Sequence, residues 1–229
     1  MSPERRVAGR WHEDGIDTAV EAVPKRAFQW AIDWPGWCRS GKTELQALER
    51  LIEAAERYNV VIERAGLEPL SVSANDVYVV DSVEGGATTD FGAPERWTAS
   101  DERPTDAAGG DRLARLVEAA WLVLDDVVAT APAELRKGPR GGGRERDKVF
   151  EHVLLAEHAY ARTMGLKLPV PDPADPGSAA VVRDAIAAVL REPSDGSPIE
   201  GRKWNRRYAA RRVAWHILDH AWEIEDRSD

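Results

Sequence analysis

His216 and His220 stand four residues apart in the segment Val213–Glu223. On an α-helix that spacing rotates the second ring only about 40° from the first, so both imidazoles leave one face about one turn apart. Neutral imidazole is a common metal ligand, and two on one helical face suit a single ion. Glu223 projects from the same edge, about 20° to the other side of His216. It is therefore the candidate general base or the carboxylate that supports the ligands. Asp219 is a weaker candidate of the same kind. Ala210, Val213, Ile217, Ala221 and Ile224 form the adjoining apolar stripe, so the pair lies where a packed helix can open to solvent. Two ligands do not close a site, and the third has to come from another element.

The other histidines are His12, His152 and His158. Residues 1–16 are polar, charged and aperiodic, which predicts a flexible tail with His12 solvated. His152 and His158 fall in the helical pattern of residues 145–164, about 120° apart around it. His152 lies within the apolar arc of Val149, Val153, Ala156, Ala159 and Tyr160, whereas His158 falls among Glu151, Asp147 and Arg162. The expectation is an inward His152 and a solvated His158.

Length allows one large domain or two small ones. The net charge of −9 argues against nonspecific nucleic-acid binding, which needs a basic footprint. The single cysteine, Cys38, excludes an internal disulfide and a cysteine-based zinc cluster. No apolar run is long enough for a membrane span, and no signal-peptide pattern opens the chain. The expected compartment is the cytoplasm. Nine tryptophans point to aromatic core and pocket walls.

The elements that must position the histidines follow from periodicity. Residues 27–33 have strand character, and strand-like pieces recur at 70–74 and 77–81. Between them Thr43 and Gln46 make a capping box ahead of a helix ending near Gly66. Residues 84–110 read as loop and linker. From 111 the pattern is helical only, with segments ending at Pro132, over 145–164, over 178–192 and over 205–226. The fold class read from this is mainly α: a four-helix bundle over 106–229, preceded by a small α/β unit and linker over 17–105. The switch in periodicity predicts that a chain starting near 106 folds alone.

Gly36–Thr43 reads G-W-C-R-S-G-K-T, a formal match to the phosphate-binding loop G-x-x-x-x-G-K-[ST]. Val77–Asp81 even resembles the strand that ends in a magnesium-binding Asp. The N-terminal unit is too short for a parallel sheet with crossover helices, and Trp37 and Arg39 are bulky where backbone must wrap a phosphate. The expectation is that the loop does not bind ATP. The Pro35-Gly36 turn followed by Gly41-Lys42-Thr43 and a helix instead resembles antitoxins of the HicB kind, over residues 27–52 only.

Residues 111–229 resemble the DinB/YfiT-like metalloenzyme family, through His152 in Val149–Leu154, Trp215-His216 and His220. That resemblance implies a four-helix bundle in which His152 joins His216 and His220 on one divalent metal, Zn, Ni, Fe or Mn. It implies a small-molecule substrate, in some cases a low-molecular-weight thiol, and a hydrolase or thiol S-transferase reaction, with a homodimer allowed. Arg140 and Arg144, ahead of the second helix, are candidates to hold a substrate carboxylate. The competing readings are a noncatalytic stress-response or antitoxin-like interaction protein, and a nucleotide-binding protein using Gly36–Thr43. Metal content separates the enzyme from the packing module, and ATP binding tests the nucleotide reading.

Overall fold

The computed structural model describes residue 12, residues 15–137 and residues 142–228. It is mainly helical (53%), with a small four-stranded sheet in the N-terminal part. The strands are β1 (Ile16–Val23), β2 (Arg26–Ala31), β3 (Cys38–Gly41) and β4 (Val77–Glu84). Their order is β3-β2-β1-β4, with β4 parallel to β1 and the other pairs antiparallel. β1 starts inside the stretch expected to be a tail, and most of that stretch lies outside the described residues. Its acidic residues hide it from a reading of polarity. Asp17 and Glu21 are buried, and Glu21 accepts hydrogen bonds from Thr89 Oγ1 and from the amides of Glu95 (3.2 Å) and Arg96 (2.8 Å). A carboxylate satisfied this way can sit in a central strand. His12 is exposed but not free: Nδ1 lies 2.7 Å from Asp17 Oδ1, and its ring stacks on Tyr78.

Two helices follow β3, α1 (Glu44–Glu53) and α2 (Ala55–Arg64), where one was expected to Gly66. Thr43 caps α1 by accepting from Gln46 N (3.2 Å), and the Gln46 side chain accepts from Lys42 N (2.8 Å). Residues 70–74 are not a strand. The Asn59 side chain takes both the N–H and the C=O of Leu70 (2.8 Å each), so that backbone is satisfied without a sheet partner.

Within Gly36–Thr43, residues Cys38–Gly41 are extended and paired with β2. Trp37 is buried, donates Nε1–H to Leu51 O (2.8 Å) and stacks on Tyr58. A phosphate loop needs consecutive amides turned inward to one anion, and here the ladder uses them. The expected result is no saturable ATP signal by calorimetry at millimolar nucleotide. A micromolar Kd that disappears in Lys42→Ala would overturn this.

The short α3 (Ala87–Phe91) precedes four long helices: α4 (Ala107–Thr130), α5 (Arg146–Thr163), α6 (Pro176–Arg191) and α7 (Arg206–Asp226). Asp106, Asp175 and Asn205 cap α4, α6 and α7, and Pro176 takes the first helical turn of α6. α4 and α5 each pack against both α6 and α7.

The sheet unit does not stand apart from these helices. One buried cluster runs from Ile16, Trp37, Leu51, Tyr58 and Ile62 to Leu116, Leu124, Val213, Leu218 and Trp222. Trp215 of α7 packs with Phe28, Trp30 and Val80 of the sheet. Gly36 (φ +92°) seats the turn before β3 on α7, where a Cβ would meet Leu218 Cδ1 at 2.6 Å and Ala214 Cβ at 3.0 Å. Only glycine combines that dihedral with that approach. Arg211 of α7, buried, reaches back to Asp101 (2.6 Å), so polar contacts also cross position 106.

Candidate metal centre

α7 presents His216 and His220 along one side, and α5 brings His152 against them. Asn205 aims α7, since its Oδ1 accepts from Tyr208 N and its Nδ2 donates to Asp101 O and Gly196 O. His216 Nε2 and His152 Nε2 approach to 3.2 Å. One ligand atom from each of the three histidines lies within 4.8 Å of the others. Nitrogens bound at about 2.1 Å to one tetrahedral ion stand about 3.4 Å apart, so the His152–His216 pair already has the required separation. His216 is 8% exposed, while His152 and His220 are half-buried, which leaves the cluster reachable from solvent.

Glu223 accepts from His220 Nδ1 (2.9 Å) and from Arg227 Nη1 (2.8 Å). A carboxylate can only accept, so the His220 proton sits on Nδ1 and Nε2 keeps the lone pair for a metal. Arg227 Nε in turn donates to Arg136 O (2.8 Å), tying the pair to the segment after α4. The bond from His220 holds the Glu223 carboxyl below its ordinary range. Glu223 is thus placed to orient His220, and the general-base role read from the sequence would have to work with a weakened base. His216 has no such support, because its buried Nδ1 has no hydrogen-bond partner among the described residues.

Burial pushes the His216 pKa well below the ordinary imidazole value, and the charges of His220 and His152 push the same way. Burial also lowers His152, aided by His220 and Arg144. Both are thereby neutral near pH 7, the form that binds metal. Arg144 is exposed but close enough for its charge to be felt at both rings, and Arg140 lies outside the described residues. Asp219 is not part of the three-histidine cluster, although the His220 charge acts on its carboxyl. It lines a neighbouring cleft, open to solvent there yet ringed by protein that raises its carboxyl.

His158 is a correction. It is 8% exposed, and its Nε2 bonds Leu168 O at 3.0 Å. The connector after α5 folds back over that side of the helix, which a wheel drawn for one helix cannot register. His158 remains outside the metal cluster. Sequence reasoning also passed over Arg227, the second partner of Glu223, and read Tyr160 as core alone. Tyr160 sets its ring edge against His216, with centroids 5.7 Å apart. The buried Glu157, held by Trp121 Nε1 (2.9 Å) and Arg183 (3.3 Å), was missed as well. The Arg183 charge that keeps it in place comes from α6.

The imidazole shifts have a sign that can be tested. The unfolded chain binds protons at an ordinary imidazole pKa of about 6.5, whereas the folded rings bind them only at lower pH. Below about pH 6.5 the unfolded state holds more protons, so acidification withdraws stability. Glu157, raised to about 6 by burial, acts in the opposite direction between about 4.5 and 6. The imidazole contribution is therefore read as a difference. In metal-free protein, melting temperature should fall less on acidification in His216→Gln than in wild type, and parallel curves would overturn the assignment.

The chain matches no family model, no curated protein and no solved structure.

Proposed function

We propose that the chain is a metal-dependent enzyme in which His152, His216 and His220 hold one divalent ion, Zn, Ni, Fe or Mn. The observation that carries this reading is the meeting of three imidazoles from two helices, two of them Nε2 to Nε2 at 3.2 Å. Neutral rings so placed have no proton to share with all their neighbours, and a common cation satisfies their lone pairs. When bound, such an ion acts as a Lewis acid that lowers the pKa of a coordinated water or thiol near neutral pH. Glu223 keeps His220 in the binding tautomer, Tyr160 walls the buried side at His216, and Arg144 offers positive charge at the open side. α4–α7 are proposed to form a four-helix bundle of the DinB/YfiT kind, with His152 on the second helix and the pair on the fourth.

The reaction class that fits is hydrolysis of a small molecule or transfer to a low-molecular-weight thiol. The test is elemental analysis of the purified protein, followed by ester, amide and thiol-transfer assays of metal-loaded, chelator-treated and His152→Ala protein. Activity that follows metal content supports the reading. Activity that is equal in all three preparations, or protein that takes up no divalent metal, rejects it. A noncatalytic interaction module would then be the better account, and it leaves the converging imidazoles without a role.

A further inference from the structure

On the other side of Glu223 from the histidines lies a second concavity, a cleft of about 610 Å³ between β3, α1 and α7. That size is within the range of small-molecule sites. Phe28, Trp215 and Trp222 supply its apolar surface. Half of its charged side chains are ion-paired: Arg57 with Asp226, and Arg227 with Glu223. Arg50, which donates to Ser40 O (2.9 Å), and Glu53 are exposed. Arg39 and Asp219 remain.

Arg39 is half-buried, with its guanidinium carbon over the Trp222 ring, 3.7 Å from the centroid. Its polar contact is one long bond to Cys38 O at 3.5 Å, and no carboxylate pairs with it among the described residues. Burial without a partner lowers its pKa to about 10. Asp219, open to the same cleft, has no hydrogen-bond partner among the described residues either. The two feel each other's charge but form no salt bridge. A half-buried cation and an exposed carboxylate that line one cleft without bonding each other leave polar capacity unused. A ligand with the inverse arrangement engages both.

We propose that this cleft binds a small zwitterion, an α-amino acid with an apolar side chain. Its carboxylate would meet the Arg39 fork, its ammonium Asp219, and its side chain the aromatic surface at Phe28 and Trp215. The contact with Trp222 restrains the guanidinium, whose fork can receive a carboxylate by two parallel hydrogen bonds. The proposal stands on the cleft alone and does not require a metal at the histidines.

Binding to the full chain is measured by calorimetry and tryptophan fluorescence with three probes: L-leucine, 4-methylpentanoate, which lacks the amine, and 3-methylbutylamine, which lacks the carboxylate. L-leucine is expected to bind at millimolar concentration or below, with each truncated probe at least about tenfold weaker. Arg39→Gln and Asp219→Asn are each expected to weaken L-leucine about tenfold. Arg39→Lys, which keeps the charge but not the fork, should fall between. The probe series on the unaltered chain decides the matter even if a variant misfolds. Equal binding of L-leucine and 4-methylpentanoate, no binding at tens of millimolar, or unchanged binding in both folded variants overturns the proposal.

Discussion

Replacing His152, His216 or His220 singly with Ala is expected to lower divalent-metal affinity by more than about 100-fold, and His158→Ala is expected to leave it unchanged. Removing even an outer carboxylate that orients a ligating histidine typically costs about 10–100-fold, and removing a ligand nitrogen costs more. Glu223→Ala is expected to fall within that 10–100-fold range, because His220 loses the acceptor that sets its tautomer. His158 serves as a matched control. It is as buried as His216 (8% each), but its Nε2 bonds Leu168 O, so His158→Ala should cost about 1 kcal/mol of stability and no metal. Elemental analysis and calorimetric titration with Zn²⁺ read both effects. Full occupancy in His152→Ala would sink the three-histidine site.

The second large effect concerns the boundary near residue 106. Sequence periodicity predicts that residues 106–229 fold alone, but the buried cluster is continuous across that point. Cutting there uncovers Trp215, Leu218 and Trp222, which are 5%, 0% and 2% exposed in the whole chain. At about 1.5–3 kcal/mol for each large apolar side chain, the loss is roughly 5–9 kcal/mol, comparable with the whole stability of a domain at about 5–15 kcal/mol. The truncated chain is therefore expected to show helical circular dichroism without a cooperative melt. A sharp transition within a few degrees of the full chain would restore the two-unit description. A point variant tests the same junction without truncation. Asp101→Ala leaves the buried Arg211 guanidinium without its carboxylate and is expected to cost about 3–5 kcal/mol, although the two residues lie on opposite sides of position 106.

The helices around the histidines were legible in the sequence because the signals are local. Apolar spacing and the stop at Pro132 each act within a turn or two of chain. The His216–His220 geometry follows from the helical repeat alone, and the inward face of His152 follows from the stripe it shares. Fixed rise and rotation per residue make such statements independent of what the helix later meets. β1 was not legible, because Asp17 and Glu21 look solvent-facing until amides and the Thr89 hydroxyl from residues 89–96 arrive to hold Glu21. Nor was the burial of His158, which depends on where the 165–177 connector turns back. Gly36–Thr43 matched a phosphate loop by letter, and pairing with β2 made its core a strand. The continuity of the core across position 106, the tautomer of His220 and the meeting of three rings were likewise decided only in three dimensions. Each depends on distances between residues far apart in the chain, and one-dimensional spacing carries no such distances.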